Sequence, residues 1–348
     1  MVKGTKAGWG ACSRTVLLDS RTLALSYWNN TIAVGSMNGD IIILDAITGS
    51  QMAVLSGHFQ EVNCITFSSD GKSLVSGGDD STVKLWDAQT GGVIKNFRGH
   101  TRWVWSVSIS ADYTRIASGS RDRTICLWDT QTGECYCTIE QEDTAYYISF
   151  SPIDPQHIIS ISDNKVLQWV INGYQIPPIY NGSFIAFSPD HTQFALLNEK
   201  VVTVQSSDSR AIVAEFHIVD NETRCCCFSP DGRLVAASTG DTIYVWDIAS
   251  PDPHLIETLV GHTNDITSIV FSSPSSLISV SIDNSVKIWQ ITVLSIDPVT
   301  IDPRSTPLPL PSIQSVSLQA GAGIAISSDA DGVVKTWDIS TGLCKATF

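Results

Sequence analysis

A chain of 348 residues that is 43% hydrophobic and only 16% charged can bury a core and is too apolar to stay unfolded. No apolar run approaches the roughly eighteen residues of a membrane span, and the N-terminal MVKGTKAGWGAC has no apolar h-region, so neither a bilayer segment nor a cleaved secretory signal is expected. Thirty-five acidic against twenty-one basic side chains give a formal charge of −14; with no block of Lys/Arg to overcome that field, nucleic acid is excluded as an expected partner, and so is a membrane.

In chain order, residues 1–20 hold one candidate strand, TVLLD at 15–19. Three later segments then align residue for residue. They are GHFQEVNCITFSSDGKSLVSGGDDSTVKLWD at 57–87, GHTRWVWSVSISADYTRIASGSRDRTICLWD at 99–129 and GHTNDITSIVFSSPSSLISVSIDNSVKIWQ at 261–290. Looser copies end at Asp45, Val170, Gln205, Asp247 and Asp338. A fixed period of forty-odd residues marks a repeat architecture. It divides the chain into eight units, near 21–57, 58–99, 100–140, 141–178, 179–217, 218–261, 262–306 and 307–348. Within a unit, VNCITF alternates, SSDGKS turns, SLVSGG is a short apolar run, TVKLW is β-branched and aromatic, and AQTGG turns again before VIKNF. Asp-Gly and Thr-Gly supply the positive φ such turns need, and no stretch keeps a 3.6 period. The expected fold is all-β: four-stranded antiparallel blades of a propeller, with an eight-bladed ring favoured over seven blades plus an extra unit.

The Gly-His, the Ser-Gly-Ser-x-Asp-x-Thr turn and the Trp-Asp ending resemble WD-repeat β-propellers, strongly in three units and loosely in five. The wording of the loose units, SYWNNTIAVG, SPIDPQHIISIS, SPSSLISVSIDNSVKIWQI and TWDISTGLC, is similar to the WD-repeat region of fungal NACHT-type (NLR-like) signalling NTPases. The first resemblance implies hydrogen-bonded structural tetrads at His58, Ser76, Asp80 and Trp86; at His100, Ser118, Asp122 and Trp128; and at His262, Ser279, Asp283 and Trp289. Asp accepts from the imidazole, the imidazole can donate to Ser, and a buried indole N–H needs an acceptor. It also implies that an N-terminal strand seals the ring. TVLLD fits that role, in competition with LCKATF at the end of unit eight, and the proline-rich segment at 296–311 marks a boundary between units seven and eight.

Catalytic chemistry is not expected. A Ser/His/Asp set that recurs three times at one spacing is a staple, and no G-x-S-x-G elbow exposes a nucleophile. Gly71-Lys72-Ser73 ends like a phosphate-binding loop, but Thr66 stands where its first glycine belongs and no helix follows. Seven scattered histidines and nine cysteines without a second paired spacing give no metal site and no cofactor. The thiols read as reduced and the location as cytoplasmic.

Binding is then left to the loops. By the resemblance, residues after the Gly-His and before the turn Asp surround the mouth of the channel. Unit three places Arg102, Trp103 and Arg121 there, unit two Glu61 and Asp79, and unit seven Asp265. Trp and Arg are enriched in interface hot spots. A non-enzymatic scaffold for protein partners follows, acting by the second resemblance as the sensor region of a fungal NACHT-like receptor. A propeller enzyme or small-ligand binder using the central channel, and a purely architectural subunit, are the alternatives.

Overall fold

The computed structural model describes residues 11–292 except 153, 174 and 219–222, together with four strands beyond residue 312, Ile313–Gln319, Ile324–Asp329, Val334–Asp338 and Cys344–Thr347. The described residues contain strands and turns and no helix. Six blades are formed by consecutive strands, at residues 22–56, 62–98, 104–140, 147–181, 184–217 and 223–260. Each is an antiparallel meander with its first and fourth strands at the edges, and in the second blade the fourth strand, Val93–Arg98, is mostly exposed.

The seventh blade departs from this. Residues 266–290 give it three strands, and the fourth position is taken by Ala11–Leu17, which pairs antiparallel with Ser285–Gln290. The expected eight-bladed ring is therefore incorrect. The edge that an eighth blade would have to follow is already occupied by the N-terminal strand, and the first blade packs directly on the seventh. The strands beyond residue 312 form a four-stranded sheet of their own, in a second unit spanning Leu294–Phe348. The proline-rich segment at 296–311 lies outside the described residues.

Seven apolar clusters hold the first unit together, one at each junction between successive blades. The last of them joins Ile32, Val34 and Leu44 of blade 1 to Ile278, Val280 and Ile288 of blade 7. Thr22 Oγ1 donates across the same junction to the Ser281 carbonyl at 2.9 Å. Turn chemistry repeats with the period. Ser68 Oγ donates to Asp70 Oδ1 at 2.7 Å, and Asp70 in turn accepts from the Lys72 N–H at 3.0 Å. Gly71 sits between them at φ 68°. A side chain there would run into the Trp28 indole of blade 1, 2.2 Å from where its Cβ would lie, so both conformation and space require glycine.

Candidate functional site

The structure brings each of the three tetrads together. His58 Nδ1 lies 2.9 Å from Asp80 Oδ2, its Nε2 lies 2.7 Å from Ser76 Oγ, and Trp86 Nε1 donates to the same Oγ at 2.8 Å. The set His100, Ser118, Asp122 and Trp128 repeats those contacts at 3.0, 2.7 and 2.8 Å. In His262, Ser279, Asp283 and Trp289 they are 2.8, 2.7 and 2.8 Å. The Gly of the Gly-His pair has a packing reason, since a Cβ on Gly99 would stand 2.9 Å from Trp128 Cη2.

Burial raises the carboxyls of Asp80, Asp122 and Asp283, but hydrogen bonds outweigh it and all three end below the usual carboxylate range. Asp283, bonded by Ser285, the Thr263 N–H and His262, is brought to about 2. Burial also lowers the His262 imidazole against the pull of Asp283. A neutral ring with its proton on Nδ1 satisfies the blade 7 set: Nδ1–H donates to Asp283, Nε2 accepts from the Ser279 hydroxyl, and that oxygen accepts the indole N–H. The hydroxyl proton thus runs from Ser to His, opposite to the sequence expectation.

A folded value below the free one means that His262 supports stability above histidine's ordinary 6.5 and withdraws that support as pH falls below it. The expected result is a melting temperature that drops between pH 7.5 and pH 5, less steeply in His262→Gln. Glutamine is a natural substitute at this position. In blade 4, which sequence reasoning left without a network, Gln141 Nε2 donates to Ser160 Oγ at 2.9 Å while Trp169 Nε1 donates to the same oxygen at 2.9 Å. Equal slopes for the two proteins would contradict the assignment.

The tetrads are buried beneath the loops, whereas the predicted binding residues lie at the strand entrances. Trp103 immediately precedes the inner strand Val104–Ile109, and its carbonyl accepts the Arg121 N–H at 2.9 Å. The two side chains therefore leave the backbone together. The Arg121 guanidinium lies 4.4 Å from the centre of the Trp103 ring, a cation–π contact, and the indole is 37% exposed. Behind it, Trp105 meets Trp103 edge-on at 5.9 Å and Tyr146 of blade 4 at 6.4 Å. Tyr146 is itself 55% exposed, and the Trp105 indole nitrogen is buried without a hydrogen-bond partner. Arg102 is exposed beside them, its carbonyl accepting from Ser120 Oγ at 3.1 Å.

Blade 2 contributes the acids. The Glu61 carbonyl accepts the Asp79 N–H at 2.9 Å. Asn63 Nδ2 donates to Asp79 Oδ1 at 2.6 Å and to the Val104 carbonyl at 3.2 Å, tying the acidic blade to the start of the aromatic one. Burial and then the charge of Asp79 raise the Glu61 carboxyl, with Arg21 of blade 1 pulling it down. Phe59, 81% exposed, stands at the same entrance. Asp265 does not join this group: it is on blade 7, in an ion pair with Arg224 of blade 6 at 2.7 Å. Sequence reasoning missed Tyr146 and Asn63. Asn63 sits two residues after Glu61 on the alternating strand and could have been found; Tyr146 lies in a unit whose loop has lost the repeat spacing.

Comparison with known proteins agrees with this architecture. The model "WD domain, G-beta repeat" matches residues 49–87, 91–129, 215–247 and 253–290, segments that end where the third strand of blades 2, 3, 6 and 7 ends. WD repeat-containing protein 37 of Xenopus laevis is 31% identical over 122 residues, 35% of this chain and 23% of that protein. WD repeat-containing protein 18 of Danio rerio is 32% identical over 129 residues, 34% of this chain and 28% of that protein. Target of rapamycin complex subunit wat1 of Schizosaccharomyces pombe is 28% identical over 174 residues, 49% of this chain and 49% of that protein. The matched part of the chain thus spans at most about half of each relative's length. These matches support a WD-repeat family and an all-β WD40 propeller; the narrower NACHT resemblance gains no support from them.

Proposed function

We propose that the chain is a non-catalytic protein-interaction scaffold whose partner docks on the face around Trp103 and Arg121. The observation that carries this reading is the indole–guanidinium pair itself. A partly exposed tryptophan lies under an arginine and is backed by Trp105, and Asn63 ties the Asp79 carboxylate of the neighbouring blade to the strand that follows it. Aromatic and arginine anchors dominate interface energetics, and adjacent patches of opposite sign set orientation and encounter rate. The partner fitted by this chemistry is a polypeptide segment with an acidic group for Arg121 and Arg102 and a basic group for Glu61 and Asp79. WD40 propellers are generally non-catalytic, and one relative is named as a subunit of a complex, which suits such a role. A sensor role within a NACHT-like receptor is not part of this reading.

Strands hold these side chains in place before any partner arrives, so docking needs little ordering. The test is affinity capture from host lysate with the intact chain and with Trp103→Ala/Arg121→Glu, both verified as folded by circular dichroism. A partner retained by the intact chain is expected to bind the variant about 30-fold more weakly or worse, the loss of one hot spot or more. If the variant retains every protein the intact chain retains, the face is misassigned.

A further inference from the structure

Between blades 4 and 5 lies a cavity of about 320 Å³, at the lower end of the range, roughly 300–1,000 Å³, in which small-molecule sites fall. Its origin can be read from the repeat. At five of the seven junctions a buried tryptophan of the following blade fills the interface: Trp86, Trp128, Trp169, Trp246 and Trp289. The matching position in blade 5 is Gln205, paired with Phe194 as Trp86 is paired with Leu74. Leu196 likewise stands where the tetrad serine would be. Blade 1 also lacks the tryptophan, but its Leu44 is fully buried among the apolar side chains of the closing junction. The fourth junction has only a small cluster, built on Ile159, Ile161, Val166, Ile185, Phe194 and Leu196.

The walls of the cavity are chemically uneven. Ile159, Val166, Ile185, Phe187 and Phe194 supply its apolar and aromatic side, with the Tyr180 ring tilted against Phe194 at 4.8 Å between centres. The Ser207 hydroxyl on the wall is buried and has no hydrogen-bond partner, which a folded protein rarely leaves so. The turn bond from the Arg210 N–H to the Ser206 carbonyl, 3.0 Å, returns the chain so that Arg210 lines the same cavity as Ser207. The Arg210 guanidinium lies 5.7 Å from the centre of the Tyr180 ring and has no ion-pair partner among the described residues. Asp154, the carboxylate among the described residues of the wall, is engaged by His157 at 3.2 Å.

We infer that this cavity binds a small molecule with a flat apolar body and a single carboxylate, the carboxylate received by Arg210 and the Ser207 hydroxyl. The site is separate from the Trp103 face and does not depend on it. A guanidinium fork suits a carboxylate or a phosphate, and the apolar side chains on the wall favour the anion that carries a hydrophobic body.

The probe is 2-naphthoate, titrated calorimetrically into the full chain and compared with its uncharged methyl ester. The acid is expected to bind saturably and about tenfold more tightly than the ester, as a charge-assisted hydrogen bond provides. Arg210→Gln, a change at an exposed side chain, is expected to remove that preference and leave the ester unaffected. Gln205→Trp, which restores the tryptophan of the other blades, is expected to abolish binding of both. The inference is overturned by an intact chain that shows no saturable binding of the acid. It is equally overturned by binding that does not distinguish acid from ester, or that is unchanged in Arg210→Gln.

Discussion

Removing residues 1–18 is expected to lower the melting temperature by on the order of 10 °C and to make the chain self-associate. The strand Ala11–Leu17 pairs with Ser285–Gln290 at six positions; at roughly 0.5–1.5 kcal/mol net per hydrogen bond the ladder alone amounts to about 3–9 kcal/mol. At roughly 2–4 °C per kcal/mol for a domain of this size that loss gives the stated shift. Side chains add to it. Val16 and Leu18 pack on the closing cluster, Ser13 Oγ donates to the Ile288 carbonyl at 2.9 Å, and Lys287 Nζ donates to Thr15 Oγ1 at 3.0 Å. What remains after deletion is an unpaired strand edge, Ser285–Gln290, which invites pairing with another chain. Differential scanning calorimetry and light scattering read the two effects. An unchanged melting temperature and a monodisperse monomer would mean that the first strand is not the seal.

Trp128→Ala is expected to cost about 3–5 kcal/mol, the range for truncating a large buried aromatic. The indole is 1% exposed, packs 5.7 Å from Phe97 of the preceding blade, and supplies the N–H that Ser118 accepts. Its removal leaves a cavity at the junction of blades 2 and 3 and an incomplete network around His100, so two penalties add. Trp103→Ala, one strand entrance away, is expected to cost markedly less, because its indole is partly exposed and lies outside the apolar cluster of that junction. Urea unfolding of the two variants against the parent makes the comparison. Equal destabilisation would show that the tetrad tryptophan is not a structural element of the junction.

Parts of this architecture are legible in the sequence because they recur. The tetrads use four chemically distinct residue types at fixed spacing, so Ser76, Ser118 and Ser279 can be placed by alignment alone. The same period puts Trp103 beside Arg121, since each occupies a fixed place relative to its turn aspartate. The blade count is not legible in that way. The seventh blade borrows its outer strand from 270 residues upstream, and nothing local in residues 262–306 announces a missing strand. The sealing strand itself begins at Ala11, earlier than the TVLLD alternation suggests, because its register is set by the edge it joins. Gln141 escaped notice because glutamine and histidine share a donor role but no sequence signature. Asp265 was grouped with Trp103 by its position in the repeat, although four blade junctions in chain order separate them and Arg224 already holds it.

Amide hydrogen exchange of residues 11–17 and 285–290 tests the closed seven-bladed ring most directly. Both segments are expected to exchange slowly in the intact chain, and residues 285–290 to lose protection when residues 1–18 are removed. Residues 11–17 exchanging at an unfolded rate in the intact chain, with 285–290 equally protected in both proteins, would contradict the closure and the rigid binding face built on it.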